Sequence, residues 1–474
     1  MTASAHVLDA PDAGSAAARG GALRVGAYLL GTLLSVVAAA LIFHHLGVAD
    51  GGRYVTIVAL VAMVGGLSDA GLSTIAVREL VARDARDRGA VMGAMLALRV
   101  ALTLAGVAVA VLFALAAGYE RAMVSGAAIA GGALLLQALQ GTLAAELTAD
   151  LRLGWVAACD VLRQLVGVGW VVAVVAFGGG LAVFFTANLP GFAVVLALTW
   201  WLVRERVQLA PAAVRAEWRG LLRDALPFAL ASAVGAIYFR VAVVLVSLIA
   251  TARETGWFGA SFRGIEVLIV IPQLVVGAAF PLFARAAAAG ALARLEREMH
   301  RVWDACVLLG VGVALVLLVG APVIVQVIAG PGFGPAAGVL RIQAVALVAS
   351  FLAAPWGYAL LGLRDHRAIV RANLAGLAVN VTLVSVLAAA GGVRWAAAAT
   401  VLAETLICAL YGRAMSRHGV RRLGDARLAV IALAAAAVGA LPVLLPGVPL
   451  VVRTALCVVV YAGLLAASGA LRRG

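Results

Sequence analysis

"LRVGAYLLGTLLSVVAAALIF", residues 23–43, is an apolar stretch near the start of the chain. After Arg24 it runs for nineteen residues without a charge. A helix of about 20 apolar residues is long enough to cross the hydrocarbon core of a bilayer, which is roughly 30 Å thick. The stretch therefore predicts a membrane-spanning helix.

The composition of the whole chain agrees with this interpretation. Hydrophobic residues make up 65% of the 474 residues, charged residues make up 12%, and the mean hydropathy is +1.10. Soluble domains carry roughly 25% charged residues. A soluble fold could not bury this much apolar surface, so we predict an all-α, polytopic integral membrane protein.

A cleaved secretory signal is the alternative interpretation of an N-terminal apolar run. Such a signal has a basic start and an apolar region of roughly 7 to 15 residues. Here the preceding residues include Asp9 and Asp12, and the apolar run is longer. We therefore expect residues 1–24 to form a cytoplasmic tail in front of an uncleaved first helix.

Similar apolar segments recur along the chain and predict about fourteen transmembrane helices. Their approximate ranges are 25–47, 53–75, 92–117, 122–145, 155–177, 180–203, 227–250, 257–283, 303–328, 337–361, 369–390, 394–412, 428–447 and 450–470.

The arginines predict the orientation, because cytoplasmic loops retain an excess of basic residues. All 36 basic residues are Arg, and most of them fall in the alternate loops that are cytoplasmic if the N-terminus is inside. We therefore expect a protein of the inner (cytoplasmic) cell membrane with both termini in the cytoplasm. The net charge of +14 reflects this bias and attraction to anionic lipids, so no nucleic-acid partner is expected. The predicted outer loops contain only Arg53, Arg121, Arg253, Arg394 and Arg453.

Two pairs of weakly similar segments predict that the chain contains an internal repeat. The segment GRYVTIVALV from Gly52 is similar to GWFGASFRGI from Gly256, and LTADLRLGWVAA from Leu147 is similar to LLGLRDHRAIVRA from Leu360. Many secondary transporters are built from repeats around a site at the bilayer midplane. We therefore expect two six-helix repeats around a central cavity, with two additional C-terminal helices. The predicted boundaries are 1–24 for the tail, 25–203 for the first repeat, 204–226 for an amphipathic cytoplasmic linker, 227–417 for the second repeat and 418–474 for the C-terminal helices.

Ionisable residues inside spans are costly and usually face a cavity or a partner, so they form the set of candidate site residues. Arg240 and Arg263 lie at similar distances on either side of the predicted outer turn near Ala252, roughly 17 Å into the membrane at about 1.5 Å per residue. Two guanidinium groups at one level could grip a diphosphate. Glu266 shares a helix face with Arg263 and could hold it in the empty state. The alternative is a purely structural ion network.

Other ionisable residues are candidates for gating or ion coupling. Asp69 and Arg99 could pair between the second and third helices, and Asp160 and Arg163 lie three residues apart on one face. Glu404 could bind a proton or a sodium ion, or it could only donate to or accept from a neighbouring helix.

The sequence offers no recognisable set of metal ligands. Its cysteines are scattered through apolar segments without the spacing of metal or redox motifs, so no metal and no cofactor are expected. The outer loops are short and their acidic residues are isolated, which disfavours an enzyme. The cysteines are Cys159, Cys306, Cys408 and Cys457, and the outer acidic residues are Asp50, Glu120 and Glu254.

Three segments carry a resemblance to a known family. They are YFRVAVVLVSLIATARETGWFGASFRGIEVLIVIPQLVVGAAFPLFAR from Tyr238 to Arg285, GLSDAGLSTIAVREL from Gly66, and GFGPAAGVLRIQAVALVASFLAAPWGYALLGLRDHRA from Gly332. In type, order and spacing they resemble the polysaccharide and oligosaccharide flippases of the multidrug/oligosaccharidyl-lipid/polysaccharide (MOP) exporter superfamily. Relatives often place an acidic residue shortly after the arginine of the seventh helix, whereas this chain has Val241 and Ala242.

The resemblance implies a transporter that is not an enzyme. It would flip an undecaprenyl-pyrophosphate-linked oligosaccharide from the cytoplasmic to the outer leaflet by alternating access, for cell-surface polysaccharide biosynthesis. Membrane lipids, the lipid-linked oligosaccharide and polysaccharide polymerase machinery would be its partners. Two alternatives stay open: a cation-coupled drug or small-molecule antiporter of the same superfamily, and, less favoured, a membrane glycan polymerase or ligase.

Overall fold

The computed structural model describes residues 13–69, 71–82, 85–205, 233–420 and 448–467. These residues form helices and no strand. Ten helical segments of these residues, two of which are divided into two labelled helices below, are long and apolar enough to cross a membrane. The predicted all-α, multi-pass membrane architecture is therefore confirmed.

The helices of the described residues are labelled here in chain order. They are α1 (Ala13–Asp69), α2 (Leu72–Ala82), α3 (Ala85–Ala116), α4 (Arg121–Ala149), α5 (Leu153–Ala176), α6 (Leu181–Phe184), α7 (Leu189–Val203), α8 (Ala233–Ile249), α9 (Ala252–Leu268), α10 (Val270–Ala288), α11 (Leu292–Ala329), α12 (Ala336–Gly362), α13 (His366–Gly391), α14 (Val393–Arg417) and α15 (Leu450–Ala467).

α1 contains the first predicted span and most of the second, and it is broken at Gly47. Gly47 has φ 69° and ψ −169°, a backbone conformation that glycine tolerates because it has no Cβ. α1 begins at Ala13, inside the predicted tail, and ends at Asp69. The prediction of one continuous helix over 53–75 is wrong, because Gly71 has a φ of 73° and the chain restarts as α2.

Two further predicted spans are also interrupted. The span predicted over 180–203 is divided into α6 and α7, and the span predicted over 257–283 begins five residues earlier and is divided into α9 and α10. Most of the predicted linker and the whole predicted span 428–447 lie outside the described residues.

The described residues pack as two compact units. Unit 1 falls within Met1–His45 and Leu60–Ala236, and unit 2 falls within Leu46–Ala59 and Ile237–Gly474. The short segment Leu46–Ala59 of α1 therefore packs with the second half of the chain. The boundaries of the two predicted repeats stay a prediction.

Each unit has an apolar core of its own. In unit 1, Leu80, Met92 and Leu143 join α2, α3 and α4. In unit 2, Phe283 and Met299 belong to a larger cluster that joins α10, α11, α12, α14 and α15. Burial of such side chains contributes about 1.5 to 3 kcal/mol each when the alternative is water.

A close helix crossing in unit 2 positions the candidate site. Gly52 of α1 and Gly256 of α9 lie against each other, and a Cβ on Gly256 would collide with the carbonyl oxygen of Val48. Glycine at both positions lets the two backbones touch. The two segments that resemble each other in sequence therefore meet at their equivalent glycines.

A proline in α11 is compensated by an arginine of α12. Pro322 has no N–H, so the carbonyl of Leu318, four residues earlier, has no helical partner. Arg341 Nε donates to this carbonyl at 2.9 Å. The bond joins α11 to α12 at the point where the α11 hydrogen-bond ladder is broken.

Candidate functional site

The turn between α8 and α9 determines how these two helices face each other. Thr251 Oγ1 accepts a hydrogen bond from the Glu254 N–H at 3.3 Å, and Glu254 Oε2 accepts one from the Thr251 N–H at 3.1 Å. This reciprocal pair is a capping box, which satisfies two N-terminal donors of α9. α9 therefore starts directly after α8 ends, and Arg240 and Arg263 lie on these neighbouring helices, where both contact Glu266.

Arg240, Glu266 and Arg263 form one ion network, which we call the arginine cluster. Glu266 Oε1 accepts from Arg240 Nη2, and Glu266 Oε2 accepts from Arg263 Nη1 at 2.5 Å. The three side chains are 23%, 18% and 28% exposed. Both oxygens of one carboxylate are thus shared by two guanidinium groups, and the cluster has a net charge of +1.

Aromatic side chains surround one side of the arginine cluster. The guanidinium carbon of Arg240 lies 5.7 Å from the centre of the Phe239 ring, and Phe239 packs against Phe262 with ring centres 5.1 Å apart. The negative face of an aromatic ring attracts a cation. The Phe239 ring therefore stabilises the charge of Arg240, and Phe262 packs behind it.

Glu404 of α14 forms a second polar centre in unit 2. The Tyr238 hydroxyl donates to Glu404 Oε1 at 2.7 Å, and the Ser350 hydroxyl donates to Glu404 Oε2 at 2.7 Å. Donors on α8 and α12 thus hold both oxygens of the carboxylate. The sequence leaves two roles open for Glu404, binding of a proton or sodium ion and hydrogen bonding to a neighbouring helix. The structure shows the hydrogen bonds directly.

A cavity of about 60 Å³ lies beside Glu404. Gln343 and Asn380 line it, and both residues are at most 4% exposed. Neither Gln343 Oε1 nor Asn380 Oδ1 has a hydrogen-bond partner among the described residues. The volume is sufficient for a few water molecules, because one needs roughly 10 to 15 Å³. Carboxylate, amide and hydroxyl oxygens are also the ligands that hard cations prefer. The cavity could therefore bind a cation, or Glu404 could be protonated.

The Glu404 cavity and the arginine cluster are connected through α8. Tyr238 contacts Glu404, Arg240 contacts Glu266, and Phe239 between them lines the cavity. The same short segment of α8 therefore contacts both Glu404 and Glu266.

Asp69 and Arg99 form an ion pair in unit 1, as the sequence predicts. Arg99 Nη2 donates to Asp69, Arg99 Nη1 donates to the Ser73 hydroxyl at 3.2 Å, and that hydroxyl donates to Asp69 Oδ1 at 2.7 Å. The Arg99 side chain is 9% exposed. The network spans the break between α1 and α2, so it stabilises this break. A gating role stays a prediction.

Arg163 has an aromatic neighbour that the sequence reasoning missed. Its guanidinium carbon lies 5.0 Å from the centre of the Phe192 ring on α7. Asp160, one turn earlier on α5, is exposed and acts electrostatically on Arg163. A role of Asp160 and Arg163 in gating or coupling stays a prediction.

The sequence reasoning also missed an acidic group in unit 1. Arg88 Nη1 donates to Glu146 Oε1 at 3.2 Å and to Asp150 Oδ1 at 3.4 Å, and the Glu146 side chain is only 4% exposed. The predicted span 122–145 ends one residue before Glu146, so hydropathy alone places this residue outside the membrane span. Among the described residues, no group of three or more His, Cys, Asp and Glu residues is arranged to hold a metal ion.

Comparisons with known proteins agree with this architecture. No curated protein matches the chain. The solved structures that are similar include the lipid II flippase MurJ in an inward closed conformation, with 11% identity, a TM-score of 0.78, and 94% of this chain and 98% of that chain covered. They also include an inward-facing multidrug resistance MATE family transporter of the MOP superfamily, with 15% identity, a TM-score of 0.70, and 84% and 97% covered.

A MOP superfamily transporter from Pyrococcus furiosus is similar as well, with 16% identity, a TM-score of 0.60, and 85% of this chain and 95% of that chain covered. These likenesses show that the chain has the fold of MOP superfamily transporters. Residues 17–287 match the family model described as "Polysaccharide biosynthesis protein". Because this match covers more than half of the chain, the protein belongs to the polysaccharide biosynthesis protein family.

Proposed function

We propose that the protein flips a lipid-linked oligosaccharide from the cytoplasmic to the outer leaflet of the inner membrane, for the synthesis of a cell-surface polysaccharide. The carrier lipid is proposed to be undecaprenyl pyrophosphate. The observation that carries the proposal is the arginine cluster, in which Arg240 and Arg263 share one carboxylate inside a helical membrane unit. The family description and the name of the lipid II flippase MurJ support the same substrate class.

The chemistry of the head group explains why such a cluster is needed. A pyrophosphate cannot cross hydrocarbon without compensating positive charge, because moving an unpaired ion out of water is very costly. The planar guanidinium group binds two phosphate oxygens at once through parallel N–H donors. Glu266 occupies these donors in the present structure. We propose that phosphate oxygens replace the carboxylate when the substrate binds.

Transport is proposed to follow alternating access. The head-group site opens first to the cytoplasm and then to the outside, while the lipid tail stays in the bilayer. Glu404 is the proposed coupling residue, because its cavity is connected to the arginine cluster through α8. Asp69 and Arg99 are the proposed gating pair, because they bridge a helix break.

A leaflet-accessibility assay tests the proposal. Purified protein is reconstituted into proteoliposomes with a lipid-pyrophosphate-linked oligosaccharide, and an enzyme or lectin that cannot cross the bilayer reports the accessible pool. Arg240→Ala and Arg263→Ala should abolish the increase in accessibility. Arg301→Ala is the matched control, because the Arg301 side chain is 69% exposed and lies outside the cluster. Full transport by both cluster variants would contradict the assignment of the site.

A second candidate function is export of a small cationic molecule in exchange for protons or sodium. It is favoured by the cavity at Glu404 and by the likeness to a multidrug resistance MATE transporter. The same proteoliposomes distinguish the two functions. Proton or sodium flux that a small organic cation stimulates, with no change in glycan accessibility, would support the antiporter.

A further inference from the structure

Glu266 is the feature of the arginine cluster that a simple phosphate site would not need. Two arginines without a carboxylate would bind an anion more strongly, yet Glu266 uses both of its oxygens on Arg240 and Arg263. Its side chain is 18% exposed, so it is largely withdrawn from water. The question is what happens to this carboxylate when the substrate takes its partners.

The charges of the site and of the substrate do not balance if Glu266 stays ionised. The empty cluster has two positive charges and one negative charge. A pyrophosphate that is esterified at both ends carries two negative charges near neutral pH, one on each phosphate. The loaded site would therefore contain three negative charges and two positive ones in a poorly hydrated part of the protein, where an uncompensated like charge is strongly unfavourable.

Within the part of the chain that the structure describes, the charges that act on Glu266 include no third positive group. The charged groups that act on Glu266 are Arg240 on α8 and Arg263 on its own helix. On the α1 segment of unit 2, Tyr54 lies within electrostatic reach of Arg263. On α14, Glu404 is bonded to Tyr238 in the cavity that Ile265 and Phe262 also line. An additional carboxylate in that cavity adds negative charge and cannot neutralise the substrate.

Protonation of Glu266 removes the imbalance. The neutral carboxyl group no longer competes for the two guanidinium groups, and its O–H can donate to a phosphate oxygen. The loaded site then has two positive and two negative charges. The proton comes from the solvent, and the only bond formed is the O–H bond of the carboxyl group.

We propose that binding of the substrate diphosphate is linked to the uptake of one proton by Glu266. This inference rests on the proposed function. Proton uptake has a definite sign: the affinity falls as the pH rises. In the pH range in which Glu266 is ionised in the free protein and protonated in the complex, the affinity falls about tenfold for each unit by which the pH rises.

Isothermal titration calorimetry of the full-length protein in detergent tests the inference. The probe is geranyl-pyrophosphoryl-N-acetylglucosamine, in which each phosphate has one strongly acidic hydroxyl and does not titrate near neutral pH. Titrations in buffers with different enthalpies of ionisation give the number of protons taken up. We expect about one proton for the wild type and none for Glu266→Gln, with the affinity of the variant retained or increased and independent of pH. Glu298→Gln is the matched control, because Glu298 pairs with the exposed Arg301 outside the cluster, and it should still take up one proton. Glu404→Gln tests the neighbouring carboxylate as an alternative proton acceptor.

The outcomes separate this inference from the proposed function. Binding of the probe by the wild type without proton uptake, or uptake that persists in Glu266→Gln, overturns the inference and leaves the arginine site intact. Loss of uptake in Glu404→Gln alone also overturns it, because Glu404 would then be the acceptor. If the wild type does not bind the probe at all, the proposed function fails as well. If Glu266→Gln does not fold, a wild-type count of zero still overturns the inference, and uptake of one proton that persists in Glu404→Gln supports it.

Discussion

Tyr238 donates its phenolic hydroxyl to Glu404 Oε1 at 2.7 Å, so a bond between residues 166 positions apart joins α8 to α14. Arg240 lies two residues further along α8, where it binds Glu266. The bond therefore ties the helix that carries one half of the arginine cluster to the carboxylate of the neighbouring cavity. It predicts that the occupancy of Glu404 influences the arginine cluster through α8.

Substitutions at Glu404 should remove the dependence of transport on an ion gradient. We expect Glu404→Gln to keep the fold, because the amide oxygen can accept from one of the two hydroxyl groups and the amide N–H can donate to the other. The variant should flip substrate at a rate that no longer responds to a pH or sodium gradient. Tyr238→Phe should weaken this response and destabilise the fold by about 1 kcal/mol, the value of one hydrogen bond. The leaflet assay with and without a gradient measures both effects. A Glu404→Gln protein with an unchanged gradient response would exclude this carboxylate as the coupling group.

We expect that lysine cannot take over the function of either arginine of the cluster. Arg240→Lys and Arg263→Lys keep the positive charge but lose the planar fork that binds two oxygens at once. We expect a loss of transport of at least tenfold, equivalent to about 1.4 kcal/mol, and a smaller loss of thermal stability. The measurements are the leaflet assay and the unfolding temperature of each purified variant. Wild-type transport by both lysine variants would mean that charge alone is sufficient and that no bidentate contact is made.

The Asp69–Arg99 pair should show strong coupling between its two residues. Asp69→Asn leaves the buried guanidinium of Arg99 without its counter-charge. We expect a loss of about 1 to 3 kcal/mol, below the cost for a fully buried pair, because the Asp69 side chain is 38% exposed. Arg99→Met together with Asp69→Asn should recover most of this loss, because neither charge then remains. Unfolding temperatures of the two single variants and the double variant form a double-mutant cycle. Additive effects would show that the pair does not stabilise the break between α1 and α2.

A pair at the ends of α13 and α14 predicts a pH dependence outside the membrane spans. Asp365 Oδ2 contacts His418 Nε2 at 3.0 Å, and Asp365 Oδ1 accepts from the Ala368 N–H at 3.1 Å. The hydrogen bond from His418, followed by that from Ala368, holds the pKa of Asp365 below its ordinary value of 3.8. The stabilisation is therefore present above the pKa of the unfolded chain and is lost as the pH falls through the lower pKa of the folded protein.

Asp365→Asn tests this dependence, because asparagine keeps the helix cap but removes the charge. We expect a loss of less than about 1 kcal/mol at pH 7, since the pair is partly exposed. The difference between variant and wild type should disappear under strongly acidic conditions, where the wild-type carboxylate is protonated. Thermal unfolding across pH measures it, and His418→Gln should give the same loss at pH 7. An equal difference at all pH values would show that the charge of Asp365 is not involved.

The glycine crossing in unit 2 should not tolerate a side chain. Gly256→Val would place atoms against the Val48 carbonyl, and overpacking of this kind costs about 1 to 3 kcal/mol. Gly277→Ala in α10 is the matched control, since a Cβ there meets no atom within 4 Å. Unfolding temperature and yield of folded protein after purification compare the two. Equal stability of Gly256→Val and the wild type would mean that the crossing is looser than described.

Much of the architecture follows from local composition. A segment such as residues 23–43 must cross the membrane because no other environment accepts nineteen uncharged residues in a row in so apolar a chain. Local spacing also predicts the grouping of Arg240, Arg263 and Glu266, because a single turn separates the two helices and places the arginines at equal depth. The neighbourhood of Asp69 and Arg99 follows in the same way, from consecutive helices.

The Glu404 centre could only be decided by the tertiary structure. Its carboxylate receives donors from α8 and α12, and Asn380 of α13 lines the same cavity. These residues are 24 to 166 positions from Glu404, and each one alone is a polar residue in an apolar helix. The breaks at Gly47 and Gly71 likewise depend on backbone angles that an apolar run does not reveal. Hydropathy determines which segments leave water, because the free energy of transfer from water to the membrane is a sum over the residues of each segment. Which polar groups then meet inside the membrane depends on helix packing between distant segments, and only the tertiary structure decides it.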